Sequence, residues 1–191
     1  MSVEQIADAV GIRAPSLYKH YKGKQDIFDA IFEETAKRYG EFTDSISVHL
    51  GDSGQDLAVF RAITADALVE KVRSLIVYSL HDEFVSQFRR MVTIEQFRSP
   101  ELSALYSQRY VAQIQQYHEG LFQRMIAAGV MRRENPELLA LMYDAPILLL
   151  LGECDRHPEK EKDIMDMLEG HVRLFYRLFH EESVEGGGEH D

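Results

Sequence analysis

The chain reads as all-α. Strand-type alternation is scarce, and apolar residues recur at helical spacing along nearly the whole length. Pro100, Asn135-Pro136 and His157-Pro158 then cut that pattern into separate helices. With 191 residues, 45% of them hydrophobic and 28% charged, the composition is that of a globular protein with a substantial core.

Ser2-Val-Glu-Gln5 has the form of a capping box, in which a serine hydroxyl and a glutamine three residues later satisfy each other's backbone N–H groups. Ile6, Ala7 and Val10 follow on one face, and Gly11 stops the helix. A second short helix opens near Ala14, with Pro15 tolerated in its first turn, and runs to about Tyr21. Lys22-Gly23-Lys24 breaks it, and a third helix is expected from Gln25 or Asp26 to about Phe42. Leu50–Gly54, with two glycines, an Asp and a Ser, forms the clearest boundary. Helices are then expected at about 56–79, 82–97, 101–128, 137–154 and 159–181. Three consecutive glycines and several acids mark 183–191 as a flexible tail. The expected organisation is a head with its connecting helix at 1–42, a helical bundle at 43–182, and that tail.

The net charge of −11 argues by itself against a nucleic-acid partner, but its distribution reverses the reading. The first 24 residues hold Arg13, Lys19, Lys22 and Lys24 against Glu4 and Asp8, a net of +2 that leaves −13 for the rest. From Ile12 to Lys24 there is no acid. Local positive charge on a presented surface is what polyanion binding needs, and an acidic body discourages unspecific adhesion.

Several function classes find no support. The chain has one cysteine, Cys154, which rules out an intrachain disulfide and fits a reducing, cytoplasmic setting. No basic-then-apolar leader opens it, and the longest apolar run, Ile147–Leu151, is too short to span a bilayer, so no membrane partner is expected. No HExxH, paired CxxC, Walker loop or GxSxG is present, so no catalytic residue, metal or cofactor is expected. Cys154 and His157 are spaced like two zinc ligands, but a full site needs two more. His81-Asp82-Glu83 reads as a helix start with acids at its positive end.

Residues 2–21 have the spacing of a helix-turn-helix: two short helices joined by a tight turn through glycine. Ile6, Ala7, Val10, Ile12, Leu17 and Tyr21 are placed to close a small core. Arg13, Ala14, Ser16 and Lys19 are left facing out near the start of the second helix, while Tyr18, His20 and Lys24 stand at the flank. On spacing alone, an ordinary helical hairpin with a solvated basic face fits equally well.

The residues themselves go further. Ser2 to Phe28 closely resembles the DNA-binding signature of the tetracycline-repressor (TetR) family. Ile6-Ala7 lies in the first helix, Gly11-Ile12 in the turn and Leu17-Tyr-Lys-His-Tyr21 in the recognition helix, and Lys24 leads into a long connecting helix. The resemblance implies that Tyr18, His20 and Lys24 hold the DNA backbone and that residues 13–19 supply most base contacts. The expected DNA-binding set is therefore Ser2, Arg13, Ala14, Pro15, Ser16, Tyr18, Lys19, His20 and Lys24.

Beyond residue 45 the resemblance is architectural and implies a unit that binds a small molecule and dimerises, chiefly through its last two helices. The local pattern agrees. Ile164, Leu168, His171, Val172, Phe175, Leu178 and Phe179 form a stripe, widened by Met167 and Leu174, and Leu138, Leu139, Leu141, Met142, Ile147, Leu148 and Leu151 make the preceding helix apolar. The expected homodimer interface is Leu148, Leu151, Ile164, Leu168, His171, Val172, Phe175 and Phe179, although both helices also read as core helices of a monomer. The expected pocket lining is Tyr78, His81, Phe84, Phe88, Met91, Tyr106, Tyr110, Gln113 and Tyr117, with Phe97 and His118 nearby. Its aromatic richness favours a hydrophobic or flat small-molecule effector.

The sequence is thus identified as a homodimeric repressor that reads a palindromic double-stranded operator and is released by a small molecule. Two other readings stay open: a ligand-binding or interaction dimer of the same fold with impaired DNA binding, and, more remotely, an enzyme on a helical bundle. Members of the family carry a further helix before the capping serine, whereas here Met1 directly precedes Ser2. Either the true chain starts earlier or that helix is absent; in the second case Ile6, Val10, Leu17 and Phe28 would lose a packing partner, with about 1.5–3 kcal/mol at stake per fully buried large aliphatic side chain. Weakened operator binding follows as an expectation. A gel-shift comparison with an N-terminally extended form should show tighter binding by the extended form, and equal affinities would refute it.

Overall fold

The computed structural model describes residues 2–181, and the expected tail at 183–191 lies outside the described residues. Contacts divide the chain into two compact units, Met1–Tyr39 and Gly40–Asp191.

The first unit opens with α1 (Val3–Ala9), whose capping box is complete: the Gln5 N–H donates to Ser2 Oγ at 3.3 Å, and the Ser2 N–H donates to Gln5 Oε1 at 2.8 Å. Gly11 turns the chain at φ +72°, a left-handed conformation that costs glycine nothing. α2 (Ala14–Tyr18) is shorter than its expected extent to Tyr21; the Tyr21 N–H still returns to Leu17 O at 3.0 Å. α3 (Lys24–Ser45) follows, with the Asp26 carboxylate accepting the Lys22 N–H at 2.9 Å. α3 contributes residues to both units.

The small core of the head differs from expectation. Ala7 is buried, but Val10 (63% exposed) and Ile12 are not, and Val3 is buried in their place. Val10 is the C-cap of α1, with φ −98° and ψ 6°, so its side chain leaves the helical face that Val3 and Ala7 share at i, i+4 spacing.

The second unit contains α4 (Ser53–Arg61), α5 (Ala65–His81), α6 (Glu83–Glu95), α7 (Pro100–Tyr106), α8 (Gln113–Ala127), α9 (Pro136–Arg156) and α10 (Glu161–Phe179). A π-helical stretch, Ser107–Ala112, makes α7 and α8 one continuous rod. The helix expected at 56–79 is in fact two, α4 and α5. Thr64 interrupts it, because its hydroxyl accepts the Ala67 N–H at 3.2 Å and caps a fresh helix. Side-chain caps also start α4 (Asp52), α6 (Asp82), α7 (Ser99) and α9 (Asn135). After α10 the chain pairs with the segment following α8: the Arg132 N–H donates to Phe179 O at 2.8 Å, and the Glu181 N–H to Val130 O at 2.9 Å. No described helix is long and apolar enough to cross a membrane.

The core of this unit draws on α5, α8, α9 and α10, with Leu121, Leu139, Leu168 and Val172 at its most buried positions. Arg89 of α6 is buried and ion-paired with Asp155 of α9, which Arg90 also contacts at 2.9 Å. Burial pushes the Asp155 carboxyl up, and the two guanidinium groups more than offset it, leaving the group below its usual range.

α4 and α8 approach closely. A Cβ at Gly120 would stand 2.8 Å from Ser53 Oγ. One turn further along α4, Asp56 has no solvent exposure and is satisfied entirely by the protein. Its Oδ2 accepts the Tyr117 hydroxyl at 2.5 Å and the His49 N–H at 2.7 Å, and its Oδ1 pairs with the His49 ring. Nearby, the Lys71 ammonium donates to Ile46 O. The loop after α3 is thereby fastened to α4, α5 and α8. The hydrogen bond to Asp56 raises the His49 imidazole above its ordinary value, against the opposing pull of desolvation.

Two expectations follow. A folded-state imidazole pKa above the ordinary 6.5 contributes stability that is complete below pH 6.5 and is lost as pH rises through the folded value. The melting-temperature advantage of the native chain over His49→Gln should therefore shrink on going from mildly acidic to alkaline buffer; a gap that widens would contradict the assignment. Leu168→Ala should cost about 2–5 kcal/mol in urea denaturation, as for a core leucine. A cost under about 1 kcal/mol would place Leu168 outside the chain's own core.

Candidate nucleic-acid interface and effector cavity

The backbone of residues 2–24 is built to present side chains. Arg13 is the N-cap of α2 in extended conformation (φ −80°, ψ 136°), contributes no side-chain cap, and so keeps its guanidinium for another partner. Pro15 in the first turn of α2 gives up no intrahelical hydrogen bond there. Ser2, Arg13, Pro15, Ser16, Tyr18, Lys19, His20 and Lys24 are all exposed, and Ala14 is half-buried. Ser2 spends its hydroxyl on the capping box.

Sequence reasoning missed one contact. The Tyr18 hydroxyl donates to Glu4 Oε1 at 3.0 Å, tying α2 to α1. Backbone N–H donation at the start of α1, with help from Ser2 and Tyr18, holds the Glu4 carboxyl below its usual range. The same bond raises the Tyr18 phenol. Glu4 is thus an exposed acid on α1 that holds the Tyr18 hydroxyl of α2. Residues 14 apart on two helices give no periodic signal, so this pair was legible only in three dimensions.

The second unit holds a cavity of about 30 Å³ between α4, α5, α8, α9 and α10. Phe122, Tyr143 and Phe175 form aromatic walls, and Met125 and Met131 supply sulfur. His118, Tyr176 and His180 are its polar lining groups apart from the Tyr143 phenol.

None of the nine residues expected to line a pocket lines this cavity; their side chains are engaged elsewhere. Tyr78 stacks on Phe42, with ring centroids 4.0 Å apart and planes at 8°. His81 pairs with Glu161 at 2.8 Å. Phe88 is buried and Phe84 half-buried on α6, while Met91 and Gln113 are exposed. The Tyr106 and Tyr110 rings meet at 5.3 Å across the start of the π-helical stretch. Tyr117 donates to Asp56, just behind the cavity wall. Of the two neighbours, His118 is in the lining, and Phe97 is 90% exposed. Apart from Phe97, the aromatic side chains along 78–118 are spread over α5, α6, the rod of α7 and α8 and its π-helical stretch.

The residues expected at a subunit interface divide similarly. Ile164, Leu168, Val172 and Phe175 are buried within the chain itself, and Phe175 faces the cavity. Leu148, Leu151, His171 and Phe179 are half-buried, with a ring nitrogen of His171 3.0 Å from Tyr143 O. The apolar side chains left outside are Leu138, Leu141, Met142 and Leu149 on α9 and Met167, Leu174 and Leu178 on α10. Of the stripe read from sequence on α10, Ile164, Leu168, Val172 and Phe175 face inward, while Leu178 and the widening residues Met167 and Leu174 face outward.

Comparison with known proteins agrees with the fold. Residues 1–31 match the family described as bacterial regulatory proteins, tetR family, and residues 66–180 match the AefR-like transcriptional repressor C-terminal domain. A TetR-family transcriptional regulator from Mesorhizobium loti superimposes with a TM-score of 0.67 at 18% identity, over 95% of this chain and 87% of that one. SmeT in complex with triclosan gives 0.66 at 18% identity, over 99% and 86%. SmeT of Stenotrophomonas maltophilia, the repressor of the multidrug efflux pump SmeDEF, gives 0.61 at 17%, over 98% and 84%. No curated protein sequence matches the chain. With both its helix-turn-helix and most of its helical bundle matched, the chain belongs to the TetR family of bacterial transcriptional regulators.

Proposed function

We propose that the protein is a repressor that binds a palindromic DNA operator as a homodimer and leaves it when a small molecule enters the bundle. The observation that carries this reading is the exposure of Arg13, Ser16, Tyr18 (47% exposed), Lys19 and Lys24 on and beside a short helix that follows a tight turn. Arg13, Ala14, Pro15, Ser16 and Lys19 meet base edges in the major groove, while Ser2, Tyr18, His20 and Lys24 meet phosphates and set register. The functional division is a reading head with its connecting helix at 1–42 and an effector and dimerisation domain at 43–182, with 183–191 as a tail.

A two-fold pair places two recognition helices on successive major grooves, which is why the operator is palindromic. The outward apolar residues of α9 and α10, Leu149 (61% exposed) and Met167 (63%) among them, are the surface that pairing would cover. Half-buried Leu148, Leu151, His171 and Phe179 flank it. Release needs an effector with different affinity for the DNA-competent and DNA-incompetent states, and α3 is the segment whose displacement would carry the heads out of groove spacing. SmeT, a repressor of similar fold that forms a complex with triclosan, supports the reading of a repressor with a small-molecule partner.

Selection of bound duplexes from a random pool, followed by fluorescence anisotropy across salt concentrations, tests this. A palindromic winner is expected, with affinity falling steeply as salt rises. Lys24→Ala should weaken binding to all sequences and reduce the salt slope by about 1, whereas Arg13→Ala should cost about 1–3 kcal/mol and blur base preference. Glu4→Gln should tighten binding by removing the acid that holds Tyr18. If no duplex is enriched and no variant changes affinity, the chain is a ligand-binding dimer and not a repressor.

A further inference from the structure

The cavity in the second unit has a chemistry that narrows what can enter it. Among the described residues no Lys, Arg, Asp or Glu lines it. Apart from His118 and His180 the wall offers no counter-ion, so a charged effector would lose its hydration there, a cost of several kcal/mol in apolar surroundings.

Behind one wall lies an unusual pair. His118 Nδ1 stands 2.7 Å from Asp144 Oδ1, yet without the alignment a hydrogen bond requires. His118 Nδ1 and Asp144 Oδ2 are both buried, with no hydrogen-bond partner among the described residues. Nearly all buried polar atoms in folded proteins are satisfied; the ion pair occupies His118 Nδ1 and Asp144 Oδ1, and Asp144 Oδ2 is the acceptor that no described residue uses. Tyr176, by contrast, donates its hydroxyl to Ile63 O at 3.1 Å. Asp144 also sets a sign: its carboxylate beside His118 opposes any anion brought to the imidazole.

The walls set the shape. The His118 ring meets Tyr143 edge-on at 4.9 Å and lies over Phe122 at 5.6 Å, and Phe175 packs against Tyr143 at 4.8 Å. Such surfaces accept a flat ring by stacking or edge contact. A cavity of about 30 Å³ has room for one or two waters, so even a single ring needs side chains to move aside. Met125 and Met131, unbranched and adaptable, are the lining residues able to do so.

We propose that this cavity takes a neutral, single-ring aromatic molecule carrying a hydroxyl group, with that hydroxyl engaging the His118–Asp144 pair. The inference deepens the effector reading above and rests on it for its regulatory meaning, although not for binding.

Calorimetry on the full chain with four single-ring probes tests the class: phenol, benzene, benzoate and benzyltrimethylammonium. Phenol should bind at least about tenfold tighter than benzene, a difference of 1.4 kcal/mol, with both ions weaker still. In ¹³C-methyl spectra, phenol should shift the Met125 and Met131 resonances and leave the exposed Met91 and Met167 unchanged. His118→Phe, checked for an intact melting transition, should bring phenol down to the level of benzene. Asp144→Asn should admit benzoate. If His118→Phe does not fold, the methyl shifts and the probe ranking on the native chain decide alone. Equal affinity for phenol and benzene, tighter binding of either ion, shifts away from Met125 and Met131, or no phenol binding at millimolar concentration each overturn the proposal. Phenol that binds as expected yet leaves the operator complex intact would leave the cavity chemistry standing and refute release by this route. An effector that frees the operator without competing with phenol would do the reverse.

Discussion

Asp56 has no access to water, and a buried carboxylate persists only where hydrogen bonds replace its hydration. Two elements supply them, the loop after α3 through His49 and α8 through Tyr117, while α4 carries the carboxylate itself. Losing any one partner leaves a buried polar group unsatisfied, at about 1–3 kcal/mol each. The three elements are therefore held to one arrangement. Because the loop at His49 directly follows α3, the register of that helix's C-terminal end is fixed by the same carboxylate.

The head is organised on a different principle. Its buried side chains include Val3, Ala7 and the polar Thr35, a small core for a unit of its length. Local devices do much of the work: a complete capping box, a left-handed glycine at the turn, and the Tyr18–Glu4 bond between α1 and α2. These leave the cationic side chains outward and unburied, as a surface for a polyanion requires. One exposed acid, Glu4, holds the Tyr18 hydroxyl.

Local chemistry was the most legible part of the sequence. Ser2, Gly11, Asp82, Asn135 and the prolines mark helix ends through groups that act on neighbours within four residues, and the helices start and stop close to them. A lone threonine without glycine or proline is a weak break signal, so the periodicity around Thr64 predicts one helix where the structure has α4 and α5. Periodicity located the apolar face of α10 but not what it faces; Leu168 and Val172 turn inward, and the outward residues Met167 and Leu174 looked like its margin. The cavity was illegible for a stronger reason. Its walls come from residues 60 to 180, and only His118 fell among the aromatic and polar residues noted between 78 and 118. Long-range pairs such as Glu4–Tyr18 and Asp56–Tyr117 carry no periodic trace at all.

The cavity and the buried carboxylate share the same two helices. α4 carries Asp56 and, one turn on, the lining residue Phe60; α8 carries Tyr117 beside His118 and, one turn on, Leu121. At the other end of this contact, Ser53 lies so close to Gly120 that a Cβ there would clash, which leaves little slack for α4 to settle further onto α8. A guest for which Met125 and Met131 did not make enough room would push the two helices apart near Phe60, because the packed interface can open but cannot compress. Opening there stretches the Tyr117–Asp56 bond one turn away, and the next partner of Asp56 is His49, at the end of α3. Any free energy by which a guest favoured that opening would be exchanged against the bonds that Tyr117 and His49 make to Asp56.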